Sequence, residues 1–385
     1  MSCVGMGEGS RTRGVLTTWL TIWLVSRAVV GAVVVGGALA RGVDSELRAS
    51  DPSLWLLYRF AHWDSHLYGA IADRGYTALP PGNTYNAFFP GFPAVMRAWT
   101  SAFGGDGRWG ALLLVTVTTA VAALLLGTLA TEVTGRVEVG TTAVLLLAFS
   151  PLTIFFSVAY TEGVFLCLSL GAWLLARRHH WALAGVLAGL ACTLRVNGAF
   201  LVVALIVLHL VRERHGGRWR VGPGVLTLAL GPLFILGWMV WLHGLTGQWD
   251  AWTSAQLSGW GRFATWPWVG LHDVATNIAA ADSWHLLLAR WLDVAAWFVA
   301  VAAPWWFIIR RNWPIAVLLG LNAVAIITSS ILDSGGRYLL VWFPLYVCVA
   351  SWLASRPRLR YAVLTASACL ALTLSYCWSQ QYWVA

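Results

Sequence analysis

From about residue 15 onward, long apolar runs alternate with short polar breaks, and the runs set the architecture. They fall near 15–40, 109–131, 139–159, 163–177, 181–195, 198–211, 223–243, 285–309, 314–332, 337–354 and 361–378. A helix needs roughly 17–25 apolar residues to cross a bilayer. Backbone polar groups in hydrocarbon must be satisfied within the segment itself, so such runs are helices. The pattern predicts an all-α polytopic membrane protein of about eleven transmembrane helices.

Two intervals break the rhythm. Residues 41–108 and 244–284 are long, yet neither has a disordered composition. Long connections of that kind are usually functional. Their Trp and Tyr residues suit amphipathic helices lying along a membrane surface. Residues 1–14 read as a polar, cytoplasmic tail and 15–385 as a single transmembrane domain. Arg11 and Arg13 precede the first apolar run, as in a signal peptide. That run exceeds the roughly 7–15 residues of a signal-peptide core, so it is expected to stay as a span.

Composition and charge orient the helices. Hydrophobic residues make up 59% of the 385 and charged residues only 11%, against about 25% charged in soluble domains. All 25 basic residues are Arg, which fits a GC-rich bacterial coding bias. Arg177 and Arg178, then Arg212, Arg214, Arg218 and Arg220, then Arg310 and Arg311, then Arg356, Arg358 and Arg360 cluster in breaks on the side of Arg11 and Arg13. Basic residues mark cytoplasmic loops. The two long intervals, with most of the carboxylates, are therefore expected on the extracytoplasmic face of a bacterial plasma membrane. The net charge of +9 then reflects topology, and no motif for nucleic acid accompanies it. The six cysteines show no CxxC and no His spacing suited to a metal, so neither disulfides nor a zinc site are expected. No internal repeat of the kind that builds many transporters is visible.

The candidate chemistry lies in five stretches. In FAHWDSHLYGAIADRGY, 60–76, apolar positions after Trp63 recur at Leu67, Ala70 and Ile71, the spacing of an amphipathic helix, with Gly75 placed to end it. Asp64 opens that helix, where a carboxylate serves equally as an N-cap or as a general base. Asp73 reads as a solvated helix-end charge. AFFPGFP, 87–93, carries two prolines three apart, which argue against regular helix between them and for an elbow re-entering the bilayer. SPLTIFFSVAYTEGVF, 150–165, sets Glu162 at a span end, where an ionisable side chain is either functional or a helix-start carboxylate. LACTLRVNGAF, 190–200, carries Arg195, and DSGGRYLLVWFP, 333–344, carries Arg337 and Tyr338. The planar fork of Arg suits a phosphate. Arg27, inside the first span, either lines a polar cavity or pairs within the bundle.

Taken in order, these stretches resemble the PIG-V mannosyltransferase family. The resemblance rests on WDS with its following RGY, AFFPGFP, SP…FFSVAYTE…F, RR…W…AG…L…TLR..G and SGGRYLL..FPL, together with QWDAWTSAQ…W.R at 248–262. It covers about residues 26–353. It implies a membrane glycosyltransferase with the GT-C fold, which moves mannose with inversion from a polyprenyl-phosphate-mannose donor on the extracytoplasmic face. The acceptor is a glycolipid, glycan or protein, and membrane lipids surround both substrates. On this reading Asp64 is the general base, anchored by Trp63. Arg337 and Arg195 neutralise the departing phosphate, with Arg59, His62 and His66 in reserve, and Glu162 and Tyr338 in support. No metal or cofactor is called for, because arginines neutralise a single phosphate ester. The alternatives are a secondary transporter or lipid flippase, which needs ionisable groups through the membrane middle, and a catalytically silent scaffold of the same fold.

Overall fold

The computed structural model describes residues 4–76, 83–212, 214–215, 218–219 and 222–385. Of the basic positions read above, Arg220 lies outside the described residues, and so do the side chains of Arg11, Arg214 and Arg218. Among the described residues the fold is all-α apart from a short antiparallel ribbon, Arg214–His215 with Arg218–Trp219, and an isolated bridge between Ala264 and Ser329.

Among the described residues, five helical segments are long and apolar enough to cross a membrane: Thr12–Ala40, Gly107–Thr134, Pro223–Thr246, Trp284–Ile309 and Pro357–Ser379. Shorter apolar helices complete the bundle at Val137–Ala148, Trp181–Cys192, Asn197–Arg212, Trp313–Ile327 and Phe343–Ala354. Leu113, Val117 and Val121 on one long helix and Leu233, Leu236 and Val240 on another stay exposed. Apolar side chains turned outward along whole helices belong in lipid, and the chain is a multi-pass membrane protein. Where helices meet, small residues let them approach. The Trp19 indole fills a notch between Gly127 and Gly140, where an added Cβ would lie 2.6 and 2.8 Å from its ring.

Three expectations from the apolar pattern change. The run 337–354 is not one helix, because Gly335–Leu339 ends before the non-helical residues 340–342 and a second helix, Phe343–Ala354, follows. The run 139–159 is not one helix, because Val137–Ala148 stops before Ser150-Pro151 and a 3-10 turn, Thr153–Phe156, follows. The residue before a proline is pushed away from helical geometry. The carbonyls left open at that break are taken by Arg27, which donates to the backbone oxygens of Ala148 (2.7 Å) and Thr153 (2.8 Å) and to Ser157 Oγ (2.9 Å). Arg27 is thus a strut inside the bundle rather than a cavity-lining ligand. Likewise, the helix Asp64–Arg74 turns its apolar face partly into the protein. It buries Ser65, Tyr68, Ile71 and Ala72, with the Tyr68 ring edge-on to Phe88 (4.8 Å) and Phe92 (5.0 Å).

The bundle has two polar ends. The helix Gly107–Thr134, about 40 Å long at about 1.5 Å per residue, begins at Arg108, 3.0 Å from His66. It finishes beside Glu132, which pairs with Arg178. Arg178 directly follows the helix Glu162–Arg177. Pro357–Ser379 runs the other way, from Arg360, bound to Glu138, to Trp378, whose indole donates to the Arg59 carbonyl (2.9 Å). One end therefore gathers Arg178 and Arg360, and the other gathers the long interval 41–108 with Glu162.

A candidate active site of alternating charge

Asp64, Glu162, Arg195 and Arg337 come from four distant segments and meet in one chain of ion pairs. Arg337 Nη1 lies 3.1 Å from Asp64 Oδ2, and its Nε lies 3.0 Å from Glu162 Oε1. The same Glu162 oxygen accepts from Arg195 Nη1 at 2.7 Å. Carboxylate and guanidinium thus alternate, and Glu162, 1% exposed, is shared by both arginines. A buried charge persists only when it is paired. Here each inner member touches two partners of opposite sign.

Each segment is fixed by local structure. Asp64 is the first residue of its helix rather than the cap, which is Trp63 without a side-chain cap bond. The N-cap reading of Asp64 therefore falls, and its carboxylate is spent on Arg337. Trp63 adopts φ 54°, ψ −117°, a region costing a non-glycine residue on the order of 1–3 kcal/mol. Its exposed indole sits edge-on to Trp383 at 5.3 Å. Tyr160 fastens this turn from the other side, accepting from the Asp64 backbone N–H (3.2 Å) and donating to the His62 carbonyl (3.3 Å). The stretch 150–165 also lays Phe155 and Tyr160 against the Arg337 guanidinium, at 5.4 and 5.2 Å.

Arg195 rides on a loop docked to the AFFPGFP elbow. The elbow is helical sooner than its prolines suggested. A helix Gly91–Phe103 starts directly after Pro90, and Pro93 stands in its first turn, where a missing N–H costs nothing. Gly91 N–H donates to the Thr193 carbonyl at 2.9 Å. A Cβ at Gly91 would lie 2.7 Å from that oxygen, so only glycine permits the approach. Beyond Arg195, the Asn197 amide donates to Asn322 Oδ1 (2.7 Å) and tethers the next helix to Trp313–Ile327.

Tyr338 joins the group by its ring face, 5.6 Å from the Arg195 guanidinium and 5.8 Å from that of Arg337. A third arginine, Arg262, lies 5.3 Å over the same ring and hydrogen-bonds the Tyr338 hydroxyl. Sequence reasoning quoted the stretch ending in Arg262 but gave that residue no role. The signal was weak, since a lone Arg after a Trp-rich helix resembles any interfacial cation.

Three reserve residues are occupied elsewhere. Arg59, fully buried, pairs with Asp44 and lies over Trp55 at 5.2 Å. His66 stands 3.0 Å from Arg108, which is itself paired with Asp106. Burial, with Arg108 next, holds the His66 imidazole below its ordinary pKa. His62 sits against Trp378 (5.8 Å). Burial first, then Arg59, lowers its pKa to about 3, so it stays neutral and cannot act as a cation. Asp73 is exposed at its helix end, as expected of a solvated charge.

No family model matches the chain. Over 187 residues the chain is 26% identical to GPI mannosyltransferase 2 of Yarrowia lipolytica (strain CLIB 122 / E 150), an alignment covering 47% of this chain and 49% of that protein. The matched part therefore spans about half the length of the curated relative. Among solved structures, the chain is similar to the Archaeoglobus fulgidus oligosaccharyltransferase in complex with Zn and sulfate, with a TM-score of 0.44 and 16% identity over 84% of this chain and 48% of that one. It is also similar to the same enzyme tethered to an acceptor peptide containing the NVT sequon, with a TM-score of 0.43 and 12% identity over 94% of this chain and 55% of that one.

Proposed function

We propose that the chain is an inverting membrane glycosyltransferase of GT-C type that moves mannose from a polyprenyl-phosphate-mannose donor to a lipid, glycan or protein acceptor. The observation that carries this reading is the chain Asp64–Arg337–Glu162–Arg195, which sets a partly exposed carboxylate beside paired guanidiniums at the acidic end of the bundle. The name of the curated relative, GPI mannosyltransferase 2, supports mannose as the sugar.

The chemistry follows from the charges. The acceptor hydroxyl attacks the anomeric carbon from the face opposite the phosphate, and Asp64 takes its proton. Among the described residues, no hydrogen-bond donor engages Asp64 Oδ1, so that oxygen is the proton acceptor. As the new C–O bond forms, the bond from the anomeric carbon to the phosphate oxygen breaks, and its electron pair leaves with the lipid phosphate. One negative charge thereby vanishes at Asp64 and one appears on the phosphate. Arg337 links the two events. Once Asp64 is protonated, Arg337 loses half its carboxylate pairing and is free to stabilise the new phosphate charge. Glu162 keeps Arg195 and Arg337 in place throughout.

The arginine-rich end is assigned to the cytoplasm by the positive-inside rule, which puts Asp64 on the extracytoplasmic face. The test is transfer of radiolabelled mannose from polyprenyl-phosphate-mannose by membranes holding the protein. Label should enter a lipid, glycan or protein fraction. Membranes that transfer no more label than protein-free controls would sink the proposal.

A further inference from the structure

Arg262 differs from the other cations of the site in what it touches. Arg195 and Arg337 each hold a carboxylate. The contacts of Arg262 are the Tyr338 hydroxyl and ring and the backbone oxygen of Asp333 (2.8 Å). All are neutral, and among the described residues no carboxylate lies within ion-pair reach of this guanidinium. Around the Tyr338 ring there are thus three guanidiniums, and the surplus positive charge belongs to Arg262.

Its placement is built rather than incidental. The helix Ala251–Trp260 closes on Gly261 at φ 67°, where a left-handed residue turns the chain into an extended strap. The strap is bound to residues 328–330 at every step. Gly261 O accepts from Ser330 Oγ (2.9 Å) and Phe263 N donates to that same Oγ (3.0 Å). Ser330 N donates to Phe263 O (3.0 Å), and Thr265 N donates to Thr328 O (2.7 Å). A half-buried Arg on so fixed a backbone, aimed at the ring the other two arginines share, loses little entropy when it binds an anion.

We infer that Arg262 is a ligand for the donor's phosphate, supplying the one cationic charge of the site that no protein carboxylate cancels. The inference rests on the glycosyltransferase reading above and adds to it that the second long interval, and not only the first, builds the donor site. Arg337 is held by two carboxylates until Asp64 is protonated, and Arg195 is held by Glu162 throughout. Arg262 is therefore the guanidinium available to the phosphate when the donor first binds.

The test uses full-length protein in detergent, with farnesyl phosphate as the probe. Binding is read by tryptophan fluorescence, and donor and acceptor KM by mannose transfer. Arg262→Gln keeps an N–H for the Tyr338 hydroxyl and the Asp333 carbonyl but removes the charge. Hydrogen bonds to charged groups contribute about 1.5–3 kcal/mol, so farnesyl phosphate should bind on the order of 10- to 100-fold more weakly. Donor KM should rise similarly while acceptor KM stays put, and Arg262→Lys should recover part of the loss. Unchanged binding and donor KM in Arg262→Gln, with wild-type transfer intact, would reduce Arg262 to a strap anchor and leave the enzyme reading standing. If wild-type protein transfers no mannose yet binds farnesyl phosphate through Arg262, the phosphate site survives and the reaction does not. Absence of any wild-type binding overturns the inference.

Discussion

Replacing Asp64 with Asn removes the proton acceptor while disturbing little else. Arg337 Nη1 contacts Asp64 Oδ2 at 3.1 Å, with the two side chains 10% and 15% exposed, and an Asn oxygen in the same place still accepts from it. The change swaps a charge-assisted hydrogen bond for a neutral acceptor, a difference of about 1 kcal/mol. Arg337 also keeps its contact to Glu162. Insertion and folding should therefore survive. Loss of a positioned general base costs about 10²–10⁴ in rate, or roughly 3–5 kcal/mol of barrier, several times the structural cost. The assay is steady-state transfer of mannose over a range of donor concentrations, paired with a thermal melt in the same detergent. kcat should fall by that factor and donor KM should move by no more than a few-fold. Asp73→Asn, at the exposed end of the same helix, is the control and should cost little. Near-normal turnover in Asp64→Asn would refute the base assignment and leave Glu162 to be tested next.

Arg337→Ala should cost more than Arg195→Ala, because Arg337 touches both carboxylates and Arg195 only one. In donor kinetics Arg337→Lys should restore only part of the loss, and two Ala variants with wild-type KM and kcat would make these arginines structural. Gly91→Ala should lower turnover by about tenfold or more while the protein still inserts. Its Cβ would meet the Thr193 carbonyl at 2.7 Å and displace the loop carrying Arg195, and misplacement of about 1 Å can cost on the order of 10²-fold. Unaltered kinetics in Gly91→Ala would show that the loop tolerates the shift. Orientation is testable at two exposed positions, Ser53 and His180. Cysteine placed at 53 should react with an impermeant maleimide from outside intact cells and cysteine at 180 should not, and the reverse pattern would place the candidate site in the cytoplasm.

Much of the site was legible because charge is conspicuous in an apolar chain. Glu162, Arg195, Arg337 and Tyr338 each border an apolar run, Asp64 opens the amphipathic stretch of the first long interval, and all five are part of one cluster. What could not be read was the pairing. Nothing in the linear pattern says that one Glu162 oxygen is shared by arginines 33 and 175 positions away, since the ends of four helices must be brought together first. The backbone at Trp63 was equally hidden. Asp before an amphipathic turn reads as a cap by local preference, and only the Tyr160 anchor with the Arg337 contact selects the strained alternative. Short helices such as Val137–Ala148 blurred the apolar runs for a related reason. Proline breaks a helix locally, but whether the chain then re-enters as a 3-10 turn depends on a partner such as Arg27 to take the open carbonyls.

The sharing of Glu162 explains how two arginines sit side by side in the cluster. Two guanidiniums converging in a site of low dielectric repel each other unless an anion lies between them. Glu162 is that anion, 1% exposed, accepting from Arg195 Nη1 and lying 3.0 Å from Arg337 Nε. It holds Arg195 and Arg337 in register before any substrate arrives. Asp64 pairs with Arg337 from its other side, so the chain at rest carries two charges of each sign. Electrostatic catalysis gains most from charges fixed in advance. The surplus needed to attract an anion is left to the separately mounted Arg262. Glu162→Gln should accordingly be more disruptive than Asp64→Asn in thermal stability. It would leave Arg195 with no carboxylate partner among the described residues, whereas after Asp64→Asn both arginines keep Glu162.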